Sequence, residues 1–211
     1  MTIAKGTGFV KGNRQAAGKQ LTGHLKYLEY RPRGPEETRT DRSLFTEDQD
    51  QVTRREALDD ILAHSSETIR YHKIVLSPAQ DEPVADWKEW TRTIMHDLED
   101  YKDQKLHWYA VKHSNTDDPH IHVVLAGRGE SFQTGREKPV KLYTADRAPD
   151  GHGDYEFLRE RGREHSDHEH YQRLQTIIKE LDREDTLSQE SRAKTQQQRE
   201  PPRSSSKEME R

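Results

Sequence analysis

The chain has no cysteine. That excludes disulfide staples, thiol nucleophiles and Cys-based zinc sites, so any metal site must be assembled from His, Asp and Glu. Apolar residues are also scarce: 29% of the chain is hydrophobic and 35% charged, whereas an ordinary soluble domain has roughly 45–50% apolar residues, glycine included, and roughly 25% charged. Part of the 211 residues therefore cannot be packed core. No run approaches the roughly 18–20 apolar residues of a membrane span. The opening stretch MTIAKGTGFVKGNRQ lacks the apolar segment of a secretory signal, so a cytoplasmic location and no membrane segment are expected.

What the chain does have is histidine, twelve of them, and a segregated charge. The net charge of −4 argues weakly against nucleic-acid binding, but its distribution says more. Residues 1–33 carry Lys5, Lys11, Arg14, Lys19, Lys26, Arg31 and Arg33 against the single acid Glu29, while 34–63 hold nine acids against four arginines. A basic arm is followed by an acidic segment.

Residues 31–54 contain only Leu44, Phe45 and Val52 as larger apolar side chains, behind Pro32, Gly34 and Pro35, and read as a long mobile loop. Thr186 to Arg211, rich in Gln, Ser, Arg and Glu, cannot bury enough surface to offset the entropy of ordering it and reads as a disordered tail or a truncated linker. One domain over 1–185 is expected. Leu21, Leu25 and Leu28 predict a helix over Lys19–Tyr30, and Gln51–Ser65 and Val84–Tyr101 read as further helices. Thr68–Ser77, Leu106–His113 and His120–Ala126 read as strands, and Tyr155–Arg161 and Glu164–Asp185 as helices, the histidines His165, His168 and His170 lying on a polar helix face. The order predicts an α+β fold with an antiparallel central sheet and flanking helices.

The most informative stretch is LHWYAVKHSNTDDPHIHVVLAG, 106–127. Residues i and i+2 of a strand share a face, so His120 and His122 point one way and Ile121, Val123 and Leu125 the other. If the turn pairs His113 with His120, three imidazoles converge, while Leu125 opposes Trp108 and Val123 opposes Ala110 on an apolar reverse face. That is a facial metal site with open coordination positions. His72 either lines this site or faces away with Ile74 and Leu76.

In the absence of a thiol, tyrosine is the candidate nucleophile. Tyr27 stands beside Leu25 and Leu28 in the basic arm. Its phenol, with an ordinary pKa near 10, needs a base and a polarised phosphate to attack.

HLKYLEYR (24–31), YHKIVLSP (71–78), a Trp-bearing helix and WYAVKHSNTDDPHIHVVLAGR (108–128) follow one another in an order that resembles the relaxases, the mobilization nucleases of conjugative plasmids. These belong to the HUH endonucleases, named for the His-hydrophobic-His motif that His120-Ile121-His122 matches, and the layout is closest to the branch that includes the T-DNA border endonuclease. The resemblance implies a ferredoxin-like, palm-like HUH fold, a metal on His113, His120 and His122, and a nucleophile at Tyr27. It further implies nicking of one DNA strand at a plasmid origin of transfer through a 5′-phosphotyrosine that is later rejoined. The implied cofactor is a divalent ion, Mg²⁺ or Mn²⁺ before other transition metals, and the implied partners are single-stranded DNA, accessory relaxosome proteins and a coupling protein.

Lys5, Lys11, Arg14, Lys26, Arg31 and Arg128 are candidates for phosphate contacts and Tyr109 for stacking a base. The family motif has an acid two residues after its first histidine, where this chain has Asn115, so Asp117 and Asp118 are the candidates for that role. The family's Asn-Arg after the last strand appears as Ala126-Gly127-Arg128, and Tyr30 is a candidate second nucleophile. Three other readings stand beside this one. A rolling-circle initiator or transposase of the HUH class would use Tyr143, Tyr155 or Tyr171. A non-catalytic DNA-binding module would use the metal for structure alone. Histidine-triad nucleotide hydrolases need a histidine at position 124, which is Val124 here.

Overall fold

The computed structural model describes residues 2–30, 42–79, 84–114, 119–149, 151–166, 173–174, 176–181 and 183. Two units partition the chain, Met1–His170 and Tyr171–Arg211. The first runs β1 (Ile3–Val10), α1 (Arg14–Tyr30), α2 (Arg54–Ala63), β2 (Tyr71–Ser77), α3 (Trp87–Lys102), β3 (Gln104–His113), β4 (His120–Ser131) and β5 (Glu137–Pro139), followed by a helix, α4, over 154–166. The sheet is antiparallel with strand order β1-β2-β4-β3, and β5 pairs with the far end of β4. The fold is thus α+β with a five-stranded antiparallel sheet and flanking helices.

Local chemistry sets the helix boundaries. Asn13 caps α1, its Oδ1 accepting from the N–H groups of Gln15 and Ala16 at 2.8 and 3.2 Å, so the helix starts a turn earlier than its leucine stripe suggests. Thr53 and Glu56 form a reciprocal capping box that starts α2, and Asp86 caps α3. α3 ends where Asp103 turns left-handed, φ 52°.

Strand alternation divides the buried residues between two cores. Ile74, Leu76, Trp108, Ala110, Ile121, Val123 and Leu125 pack with Trp90, Ile94, Leu98 and Leu158 beneath α3 and α4. On the reverse face Tyr71, Val111, Val124 and Ala126 pack with Ala17, Leu21, Leu25 and Leu28 of α1 and with Ala57 and Ile61 of α2.

Residues 31–41 of the expected mobile loop lie outside the described residues. Its second half is docked, which corrects the loop reading: Phe45 exchanges backbone hydrogen bonds with Ala110 at 3.0 and 2.9 Å, and Leu44 bridges to Val52. Leu44 and Phe45 are neighbours on an extended stretch, so they point to opposite faces and each enters a different core. Two well-placed side chains anchor a segment whose composition is otherwise polar. β4 runs beyond Ala126 to Ser131, and the two helices expected around 155–185 are one continuous helix over 154–166 before the described residues break off. In the second unit the described residues are helical, with Leu174, Ile177, Ile178 and Leu181 exposed; the tail 186–211 lies outside the described residues. No helix among the described residues is long and apolar enough to cross a membrane.

Candidate metal centre and its surroundings

The β3–β4 ladder pairs His113 with His120, Ala110 with Val123 and Trp108 with Leu125, the register expected from the alternation. His113, His120 and His122 share the sheet face that carries α1. Their ring centroids lie 4.6, 4.8 and 5.5 Å apart, and their ligand atoms all fall within 4.8 Å of one another. His120 Nε2 and His122 Nε2 are 3.1 Å apart. Two nitrogens about 2.1 Å from one ion at angles of 90–110° stand roughly 3.0–3.4 Å apart, so this pair is already spaced for a shared ion. His113 is fully buried while His120 and His122 are half-buried, which leaves one side of the centre open.

His113 is held from α1. Its Nε2 lies 2.8 Å from the backbone oxygen of Leu28. A carbonyl only accepts, so Nε2 carries the proton and Nδ1 carries the lone pair that a metal needs. Leu28 is one of the last four residues of α1, whose carbonyls have no intrahelical partner. The residue four positions on is Pro32, which has no N–H to offer. The sequence thus frees the carbonyl that fixes the histidine. The donor set, its spacing and the fixed tautomer fit a divalent ion, and these three residues could hold one.

Tyr27 immediately precedes Leu28 and is 51% exposed. It shares a flank of α1 with His24, one turn earlier. The opposite flank carries Glu29, which forms an ion pair with Arg54 of α2. His24 faces β2, where Lys73 is close enough to influence it; burial, with the charge of Lys73, lowers its imidazole to about 4, so it is neutral near pH 7. On the sheet floor Lys5, Val75 and His122 fall in one cross-strand row, Lys5 pairing with Val75 and Val75 with His122. Lys5 is therefore two strands from a triad histidine on the same face, about 10 Å across at a spacing of 4.7–4.9 Å per strand. His24 and Lys73 were not among the residues singled out from the sequence. Only the β2–β4 register, with Lys73 opposite Val124, puts Lys73 on the triad face.

The other expected site residues scatter. His72 points to the opposite core, its Nε2 2.8 Å from the Val140 oxygen, and burial lowers its pKa; it does not line the centre. Tyr109 shares the triad face but lies under α2, donating its hydroxyl to Asp60 Oδ2 at 3.0 Å, with burial and then the Asp60 charge raising its pKa. Its hydroxyl is thus held against α2, with the ring half-buried. Lys11 and Arg14 follow β1, whose last residue Val10 sits in the row of Tyr71 and Ala126. That row is four residues along β4 from His122, about 13 Å at 3.3 Å per residue.

Arg128 is further still and pairs with Glu137 at 3.0 Å. Lys26 is exposed on α1. Tyr30 is exposed, with the Arg54 guanidinium 5.2 Å from its ring centre. It borders a cleft of about 460 Å³ lined also by Glu29, Arg42, Ser43 and Thr53. Arg31, Asp117 and Asp118 lie outside the described residues. Of the tyrosines after the histidines, Tyr143 carries the Lys102 ammonium 5.7 Å from its ring centre and Tyr155 packs against Gly6, while Tyr171 lies outside the described residues.

A scan of the chain against protein-family models gives no match, and a search of curated proteins gives none either.

Proposed function

We propose that this protein is a relaxase of the HUH class, a single-strand DNA endonuclease and strand transferase that nicks at a plasmid origin of transfer and rejoins the strand during mobilization. The observation that carries the reading is the hydrogen bond from His113 Nε2 to the Leu28 carbonyl. It joins the end of the helix bearing Tyr27 to a triad of imidazoles, so a nucleophile and a metal-binding face belong to one rigid assembly. The antiparallel sheet flanked by helices and the order of the motifs along the chain support the HUH fold.

In this reading His113, His120 and His122 would hold a divalent ion, which would supply Lewis-acid polarisation of the scissile phosphate. Tyr27 supplies the attacking oxygen: its phenol gives up its proton to solvent, the oxygen forms a bond to phosphorus as the bond to the 3′ oxygen breaks, and the 3′ oxygen takes a proton from solvent and leaves as a hydroxyl. One phosphate ester replaces another, so no nucleotide cofactor is consumed. His24, neutral and one turn away, adds no competing positive charge. Lys5 and Lys73 on the floor offer positive charge to the strand. Mg²⁺ or Mn²⁺ is the working ion, and the accessory partners are relaxosome and coupling proteins. Three imidazoles hold Mn²⁺ or Zn²⁺ more tightly than Mg²⁺, so the ion carried through purification need not be the working one.

The test is incubation with single-stranded oligonucleotides spanning the neighbouring plasmid sequence and Mn²⁺, followed by denaturing electrophoresis. Wild type yields a covalent protein–DNA band and a free 3′-hydroxyl product, and Tyr27→Phe yields neither. An adduct that persists in Tyr27→Phe and disappears in Tyr143→Phe, Tyr155→Phe or Tyr171→Phe would replace this assignment with the initiator or transposase reading. No adduct and no nick from the folded wild type, with chelation lowering only its melting temperature, would replace it with the metal-stabilised binding module.

A further inference from the structure

A second cluster of ligating side chains lies on the same sheet face, under α2. Asp60 and His64 are four residues apart on α2 and its C-cap, which puts them on one side of the helix. His107 reaches up from β3 at the irregularity where the β3–β4 ladder skips a residue between Leu106 and Trp108. His64 Nδ1 is 3.0 Å from Asp60 Oδ1 and His107 Nδ1 is 3.3 Å from Asp60 Oδ2. The two imidazoles stack at 3.4 Å, planes within 6°. All three side chains are 28–29% exposed, open to an ion from solvent but not freely solvated.

We propose that Asp60, His64 and His107 form a second divalent-metal site, a two-histidine, one-carboxylate set for a transition ion such as Zn²⁺ or Mn²⁺. Two imidazoles and a carboxylate suit such an ion better than Mg²⁺ or Ca²⁺, and three ligands leave positions open for water. Both Nδ1 edges converge on one carboxylate, which is where the ion is wanted. Without it, the carboxylate accepts a hydrogen bond from His107 Nδ1, while His64 Nδ1 lies between Asp60 Oδ1 and the Asp60 backbone oxygen, the latter 3.1 Å away. On binding, a neutral imidazole moves that proton from Nδ1 to Nε2, and the lone pair so exposed ligates.

The outer contacts are built as well. Tyr109 donates to Asp60 Oδ2 at 3.0 Å and orients the carboxylate, and the His64 backbone oxygen accepts from Arg128 N at 2.9 Å, fixing the end of α2 to β4. Parallel rings cannot both aim a lone pair at one ion, so binding must splay them. Six residue steps along β3 separate His107 from His113, about 20 Å at 3.3 Å per residue, so the two centres are independent rather than one binuclear site.

The experiment counts ions on the full chain. Purified protein is stripped with chelator, loaded with Zn²⁺, desalted and analysed for bound metal, with Mn²⁺ titration followed by electron paramagnetic resonance and folding checked by circular dichroism. His107→Gln and Asp60→Asn each lose one equivalent relative to wild type, and His122→Ala in the same background loses a further one. Tyr109→Phe weakens the site roughly tenfold. Long-range ¹H–¹⁵N spectra show the Nδ1 signals of His64 and His107 moving on Zn²⁺ addition. A count unchanged by both His107→Gln and Asp60→Asn, or imidazole signals that do not respond to Zn²⁺, overturns the proposal. Loss of the His107 equivalent with no change in His122→Ala would sustain this site and overturn the triad as a metal centre.

Discussion

His24 makes the stability of the protein depend on pH. In the unfolded chain its imidazole titrates near 6.5, and in the folded chain burial and Lys73 bring it down to about 4. The unfolded state therefore takes up a proton first as pH falls. The contribution of His24 to stability is complete above about pH 6.5, declines through the interval, and is exhausted near pH 4. Each pH unit in which only the unfolded state is protonated removes about 1.4 kcal/mol, so the full interval corresponds to about 3.4 kcal/mol. The ring keeps some solvent contact, and screening reduces the expected loss to about half, ~1.7 kcal/mol.

The assay is urea unfolding of wild type and His24→Gln at steps from pH 7.5 to 4, with the difference between their unfolding free energies plotted against pH. His72 and the carboxylates titrate in both proteins and cancel in the difference. The advantage of wild type over the variant must shrink by that amount between pH 6.5 and 4. Adding Lys73→Met must narrow the window from its acidic end by removing a like charge. Difference curves flat across the interval would falsify the reasoning, since they would show that folding leaves the proton affinity of His24 unchanged.

The hydroxyl of Tyr71 is fully buried with no hydrogen-bond partner among the described residues, and burial pushes its pKa up to about 12. Tyr71→Phe removes that desolvation cost and should raise the urea midpoint by the equivalent of about 1–2 kcal/mol at unchanged m; a lower midpoint would reveal a hydroxyl that is satisfied. A Cβ at Gly127 would stand 1.8 Å from the backbone oxygen of Ile69, an approach that no side-chain rotation relieves. Gly127→Ala should cost about 3 kcal/mol or more, and a melting temperature within a degree of wild type would contradict the close approach. In a His107→Gln background, Mn²⁺ at a hundred times its dissociation constant should stabilise the protein by about 2.7 kcal/mol, or about 5–10 °C in a unit of this size. His122→Ala should remove most of that rise, and an undiminished rise would place the ion elsewhere.

The hairpin was legible because its two faces carry independent signals that agree. Three histidines on one side and Trp108, Ala110, Val123 and Leu125 on the other satisfy only one register, and a slip by one residue would reverse both faces. The stripe of Leu21, Leu25 and Leu28 was legible for the same reason. His72 was undecidable because its side is fixed by the pairing of β2 with β4, a contact between segments far apart in sequence. For Tyr109 strand parity gave its face but could not place α2 beside its hydroxyl, a contact between segments far apart in sequence. The Asp60 cluster draws one ligand from a strand and two from a helix, and no local spacing links them. Residues 42–53 looked like loop because composition averages over a segment, whereas docking there depends on individual side chains, Leu44 and Phe45 in the cores and Thr46 and Asp50 bonded to Trp108 and Arg92.

The carbonyl of Leu28 gives two distant stretches of the chain a common fate. A substitution at Pro32 would restore an N–H four residues on from Leu28, the sequence spacing at which a helical backbone competes for such an oxygen, and so set a rival to His113. The ligand field of the triad would then change although no ligand had been touched. Sequences that keep the triad but lose the proline would need another acceptor for His113, and the YLEYRP stretch and the HIH strand are therefore expected to be inherited as one unit.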